Sequence, residues 1–198
     1  MKFKIFNIEI SISVLFCVLI AFLLIVDSSG LMSISLLTVV LHEFGHLICM
    51  KRLNCSPKAL NLSIFGIFIV SPSVYSNNKE KALVAISGPI VNLITCVLFL
   101  IIYSIFKIEI LLIVSAVNLL YALFNLLPIV GLDGGTVMQS TLIKIFGVEK
   151  GKKISVIVSF FTVFIVITLG VFILINNIYK PTLLLLGIYL FVLNILKL

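Results

Sequence analysis

Leu41-His42-Glu43-Phe44-Gly45-His46 is the segment of this chain best equipped for chemistry. It contains H-E-x-x-H, two imidazoles one helical turn apart with a carboxylate beside the first. On a helix, positions i and i+4 lie on one face, so His42 and His46 can share a metal ion. Glu43 is adjacent to a ligand and can take a proton from water activated at that ion. The chemistry these residue types suit is metal-assisted hydrolysis. The flanking sequence is apolar, and ionisable groups are expensive in a bilayer and seldom placed there without a function.

Two histidines leave a catalytic zinc site incomplete, because such a site uses three protein ligands and keeps one position for water. The chain has no third histidine, and its other acidic residues are Glu9, Asp27, Glu80, Glu109, Asp133 and Glu149. Asp133 is set in Asn125-Leu126-Leu127-Pro128-Ile129-Val130-Gly131-Leu132-Asp133-Gly134-Gly135. Pro128 and the glycines break a helix and let the chain turn a carboxylate back toward a bundle. Irregular backbone at membrane depth is tolerated only when buried in protein or lining a wet cavity. The alternative for Asp133 is the cap of the following helix in an interfacial loop. A further polar cluster is Ser87-Gly88-Pro89-Ile90-Val91-Asn92. Gly88-Pro89 implies a kink or a close helix approach. Asn92 either ties helices together, or orients substrate backbone or stabilises an oxyanion beside the metal.

The elements that must position these groups are membrane helices. The chain has 198 residues, 62% of them hydrophobic and 11% charged, against about 45–50% and about 25% in soluble domains. That composition marks an integral membrane protein, and the expected class is all-α with six transmembrane helices. Apolar runs fall at Ile8–Val26, Leu31–Met50, Ala82–Phe106, Ile110–Leu127, Ile154–Ile175 and Pro181–Leu198, each near the roughly 20 residues a bilayer core requires. The first run starts after Lys2 and Lys4 but lacks a small-x-small cleavage site before Asp27, so it reads as a retained anchor.

Six spans put both termini on one side. That side holds Lys2, Lys4, Lys51, Arg52, Lys58, Lys79, Lys81, Lys144, Lys150, Lys152, Lys153 and Lys197, and the other keeps only Lys107 and Lys180. The positive-inside rule then makes the termini cytoplasmic in a multi-pass protein of the cell membrane. The net charge of +7 orients helices rather than binding nucleic acid, since no basic patch is interleaved with aromatics. His46 lies five residues before Lys51, so a metal there would sit under roughly 10 Å inside the cytoplasmic boundary at 1.5 Å per residue. Asp133 follows the inward-running fourth span at the same depth. Cys17, Cys49, Cys55 and Cys96 have no C-x-x-C spacing; Cys17 and Cys96 read as small hydrophobes, and Cys49 and Cys55 lie on the side where disulfides are uncommon.

The three motifs together resemble the site-2 protease family of intramembrane zinc metalloproteases (peptidase family M50). HEFGH corresponds to its H-E-x-G-H, SGPIVN to its G-P-x-x-N and NLLPIVGLDGG to its N-x-x-P-x-x-x-L-D-G, in the family's order and on three of six helices. The resemblance implies one Zn2+ held by His42, His46 and Asp133, with Glu43 as catalytic base. It makes Asn92, Gly88, Pro89 and Asn125 candidates for substrate or oxyanion contacts. Layout is most similar to the compact branch that contains the sporulation sigma-factor processing protease. The expected domain is a single one over 1–198, with neither a PDZ nor a cystathionine-synthase-type (CBS) domain. The expected partners are a membrane-associated protein substrate, the lipid bilayer and an inhibitory or regulatory membrane protein. A pro-sigma or anti-sigma factor is the kind of substrate implied.

Two further segments bear on the substrate. Leu60 to Val70 is rich in β-formers between Pro57 and Pro72 and too short for a span. A membrane-dipping β-rich segment at about 60–75 is therefore expected, either as an edge that binds an unwound substrate strand or as a packing loop. Thr136 to Phe146 reads as a short amphipathic helix on the inner surface. Two functions of other classes use the same residues: a divalent metal transporter with a transit site, and an inactive scaffold. A transporter should show internal repeats with matching broken helices, and none is evident; a scaffold would be expected to have lost a ligand or Glu43.

Overall fold

The computed structural model describes residues 2–5, 8–55, 57, 59–63, 66–70, 77–176 and 181–196. In chain order the elements are β1 (Lys2–Ile5), β2 (Ile8–Ile12), α1 (Val14–Val26), α2 (Leu31–Arg52), β3 (Ala59–Ser63), β4 (Gly66–Val70), α3 (Asn78–Phe106), α4 (Glu109–Asn125), α5 (Asp133–Phe146), α6 (Val148–Ile175) and α7 (Thr182–Leu196). They divide into two compact units. One comprises Met1–Ser76 with Ile90–Tyr121, and the other Asn77–Pro89 with Ala122–Leu198, so α3 and α4 contribute to both.

The helices are inside-out by the standard of a soluble protein. The buried set includes Thr38, His42, His46, Asn92, Ser115, Asn118, Asn125, Ser140, Ser155, Ser159 and Asn194, whereas Phe22, Ile25, Leu37, Ile94, Phe164, Phe172 and many other large apolar side chains face outward. Lipid accepts apolar surface and offers no hydrogen bonds, so polar groups turn into the bundle and small residues let helices approach. Helices α2, α3 and α6 are each long and apolar enough to cross a membrane, while α1, α4 and α7 are shorter apolar helices. The expected amphipathic helix is α5, which starts three residues earlier than the sequence pattern indicates.

The expectation that the first span starts at Ile8 requires correction. Residues Ile8–Ile12 are a strand, and α1 has 13 residues, about 20 Å of helix at 1.5 Å per residue. The physical reason lies in Ile8-Glu9-Ile10-Ser11-Ile12, which alternates apolar and polar with β-branched residues, the pattern of a half-buried strand. The first unit thus carries a four-stranded sheet in the order β1-β2-β3-β4. Strand β1 pairs antiparallel with β2, β2 runs parallel to β3, and β3 pairs antiparallel with β4. The β-rich segment expected at 60–75 corresponds to β3 and β4; its residues 64, 65 and 71–75 lie outside the described residues, as do Lys58, Lys180 and Lys197.

Between α1 and α2, Asp27 and Ser29 organise the turn. The Met32 N–H donates to Asp27 Oδ2 at 2.7 Å, satisfying a donor at the start of α2 that has no helical acceptor, and the Ser29 N–H of the turn donates to Oδ1 at 3.0 Å. The Ser29 hydroxyl, followed by these backbone donors, holds the Asp27 carboxyl below the usual carboxylate range.

The second unit is built on α5, α6 and α7. Ile129, Val163 and Leu190 form its buried core, with Phe124, Leu127, Leu132, Ile167 and Leu186 packed against them. Close approach is set by small residues. A Cβ on Gly151 would come within 2.5 Å of the Ile143 backbone, and one on Gly170 within 2.8 Å of the Leu184 backbone.

Candidate metal centre

In the first unit the site begins on the buried face of α2, made by Thr38, His42, Gly45, His46 and Met50. The spacing 38, 42, 46 is one residue per helical turn, so the three side chains stack on one stripe. The two imidazoles meet edge to face with ring centroids 4.8 Å apart and planes at 85°, and each offers a nitrogen within 4.8 Å of the other's. His42 is 2% exposed and His46 7%; Glu43 is half-buried.

A polar network binds His42 to α3 and α4. His42 Nδ1 lies 2.7 Å from Asn92 Oδ1. The Asn92 amide donates to Thr38 O at 3.2 Å and to Asn118 Oδ1 at 2.9 Å. The Asn118 amide donates to Thr38 Oγ1 at 3.2 Å and to Val114 O at 2.9 Å. The Tyr121 ring stands edge-on to His42, its centroid 5.0 Å away. One helical turn along, Ser115 donates to Cys96 O at 2.9 Å, joining α3 to α4 again.

In the second unit the chain leaves α4 at Asn125 and folds through a compact turn. Ile129 N donates to Leu127 O, and Leu132 N to Ile129 O. Val130 N donates to Ser159 Oγ at 2.8 Å, and Gly131 takes φ 110, a conformation open to glycine and strained for other residues. Ile129 and Leu132 anchor the turn in the core. Leu132 is the N-cap of α5 and Asp133 its first helical residue, so the capping position belongs to Leu132. Asp133 is half-buried.

The glycines after Asp133 have a steric reason. A Cβ on Gly134 would lie 2.1 Å from Leu126 O, and one on Gly135 2.0 Å from Ile129 O. Both obstacles are backbone, which cannot rotate away. Gly135→Ala should therefore destabilise the second unit by more than the roughly 1–3 kcal/mol of ordinary overpacking, and displace Asp133 with it. Thermal unfolding of the purified variant checks this; a Gly135→Ala protein as stable as the wild type would contradict the packing of the turn.

Among the described residues, the His, Cys, Asp and Glu side chains that form a group able to hold a metal ion are His42, His46 and Asp133. Gly88 and Pro89 are buried within α3. Proline removes a helical hydrogen bond in that turn, and Ser87 Oγ donates to the neighbouring Val84 carbonyl at 2.6 Å. Asn125 is buried at the end of α4. Sequence reasoning missed Thr38, Asn118, Tyr121 and Ser159. Thr38 was findable one turn before His42, and Asn118 as a second amide in an apolar helix; Ser159 carries no comparable signal.

The match to peptidase family M50 falls on residues 104–169, the stretch from the end of α3 through the Asp133 turn and α5 into α6. The chain superimposes on a site-2 protease from Methanocaldococcus jannaschii with a TM-score of 0.67 and 25% identity, covering 100% of this chain and 94% of that one. The chain thus has a site-2 protease fold, and its residues 104–169 match peptidase family M50. A zinc metalloprotease of the same organism is 32% identical over 170 residues, 77% of this chain and 48% of that protein. A Synechocystis relative is 34% identical over 116 residues, 56% of this chain and 30% of its own length. The chain thus spans about half, or less, of the curated relatives it matches. The His42, His46 and Asp133 donor set is chemically suited to zinc, which favours imidazole nitrogen and carboxylate oxygen.

Proposed function

We propose that this chain is an intramembrane zinc metalloendopeptidase that hydrolyses a peptide bond of a membrane-associated protein near the cytoplasmic face. The observation that carries the reading is the His42–His46–Asp133 group, with Glu43 next to its first member. His42, His46 and Asp133 would hold one Zn2+. Bound zinc supplies Lewis acidity to the attacking water and the scissile carbonyl. Glu43 takes the proton of the attacking water and returns it to the leaving amine. The buried, lipid-facing surroundings keep bulk water from the two rings.

In this reading the three long helices and the three shorter apolar ones make six crossings, with both termini in the cytoplasm. Support comes from the basic residues, twelve of fourteen on one side. The β3–β4 hairpin dips into the inner face, where a sheet edge can accept a locally unwound substrate as an added strand. Gly88, Pro89 and Asn125 border the substrate path, and their replacement is expected to raise KM. Helix α5 rests on the inner surface. The domain is a single catalytic unit whose natural substrates are membrane-tethered regulators, such as a pro-sigma or anti-sigma factor, answering to an inhibitory or regulatory membrane protein.

Co-expression with single-span and membrane-tethered candidate proteins, followed by mass spectrometry of the product ends, tests this. The cut is expected in the cytoplasmic half of a substrate span, or in a pro-sequence inserted there, with the fragment released into the cytoplasm. Cleavage in the outer half of the span would overturn the topology.

A further inference from the structure

We propose that Asn92 is a positioning residue that fixes the tautomer of His42, and that Asn118 and Thr38 hold Asn92 in the orientation this requires. The inference rests on the reading of His42 as a metal ligand.

The argument starts from two backbone carbonyls, which can only accept. Val114 O and Thr38 Oγ1 both lie within reach of Asn118 Nδ2, and the carbonyl obliges that end of the side chain to be the NH2. Its Oδ1 then faces Asn92 as an acceptor. Asn92 meets two acceptors on one side, Asn118 Oδ1 at 2.9 Å and Thr38 O at 3.2 Å, and spends both amide hydrogens on them. A flipped Asn92 would aim oxygen at both. So Asn92 Oδ1 faces His42 Nδ1 at 2.7 Å, and a carbonyl oxygen accepts without donating. The ring nitrogen between them must carry the hydrogen. In a neutral imidazole the lone pair is then on Nε2, the atom through which His42 would bind metal.

Burial gives the relay its force. Asn92 is 0% exposed, Thr38 and Asn118 are 1% and His42 is 2%, so water does not compete for these bonds, and a mispaired amide there would cost the desolvation of its polar atoms. The neutral imidazole of an exposed histidine favours hydrogen on Nε2, the atom a metal needs bare; the relay reverses that preference before metal arrives. Partners that orient a ligating ring in this way sustain metal affinity by about 10–100-fold. The same bonds leave Asn92 no spare amide hydrogen for an oxyanion, which assigns it to His42 rather than to substrate.

The full chain in detergent micelles with 15N-labelled histidine tests this directly, since it contains two histidines and His46→Gln identifies the His42 signals. In metal-free protein, at a pH where the rings are neutral, His42 is expected to carry its hydrogen on Nδ1. Hydrogen predominantly on Nε2 would overturn the relay. Zinc affinity, measured by competition with a chromophoric chelator, should fall about 10–100-fold in Asn92→Leu, less in Asn118→Leu and least in Thr38→Val. A folded Asn92→Leu protein with wild-type zinc affinity would also overturn it. If Asn92→Leu does not fold, the ring spectrum of the wild type still decides. Failure of the wild type to bind zinc would defeat the metal reading, and the tautomer, measured without metal, remains a separate result.

Discussion

Glu43→Gln is expected to abolish peptide-bond cleavage while leaving zinc in place. The substitution keeps the shape and half-buried position of the side chain on α2 and removes its ability to accept a proton at neutral pH. General acid–base catalysis contributes roughly 10²–10⁴-fold, and in the proposed mechanism one carboxylate serves both the attack and the departure of the amine, so a loss toward the upper end is expected. The loss should appear in kcat, because the ligands and the substrate path are untouched. Turnover of a purified substrate, with zinc content measured on the same preparation, separates the cases. Retention of a tenth or more of wild-type kcat would remove Glu43 from the role of base. A metal-transit site, by contrast, would tolerate glutamine at this position.

Asp133→Ala should strip the zinc. Purified wild-type protein is expected to hold one zinc per chain, and two imidazoles alone are one ligand short of a catalytic site. His46→Ala should behave the same way, since it leaves one imidazole and one carboxylate. Elemental analysis after passage over a weak chelating resin reads the result, and full occupancy in Asp133→Ala would eliminate Asp133 as a ligand. The variant should keep its fold, because the turn is anchored by Ile129 and Leu132 in the core and by the Val130–Ser159 hydrogen bond rather than by the carboxylate. An Asp133→Ala protein that melts like the wild type but holds no metal is the expected pair of observations.

Much of this site was legible from residue type and spacing, because the donors are scarce and the helix period is fixed. With two histidines in the chain and four residues between equivalent positions, His42 and His46 could only share a face. The Asp133 turn announced itself through Pro128 and a run of glycines, and the steric reason for Gly134 and Gly135 became visible only as distances to the Leu126 and Ile129 carbonyls. The hydrogen bonds behind His42 were hidden for a different reason. Hydrogen bonds such as Asn118 to Thr38 join positions 80 residues apart, and nothing local in either helix encodes its partner. The N-terminal strands were lost because Ile8 to Ile12 merges with the apolar run that follows, and a count of apolar residues does not register a change of period from 3.6 to 2. Asn194, with both amide atoms buried and without a hydrogen-bond partner among the described residues, has no explanation in the fold.

The parallel pairing of β2 with β3 imposes an order of events during synthesis. Ile10 pairs with Leu60, fifty positions later, and the connection between them is the α1–α2 hairpin. Parallel strands need such a crossover, and contacts across so long a loop form only after its entropy has been met. The first strands therefore emerge from the ribosome long before their partner exists, and β2 must wait with one edge open while both helices are made. The sheet closes only once α2 has delivered the histidine-bearing turn and β3 behind it. Synthesis of the histidine-bearing helix thus precedes completion of the sheet, and the open β2 edge is the stage of biogenesis most exposed to wrong pairing.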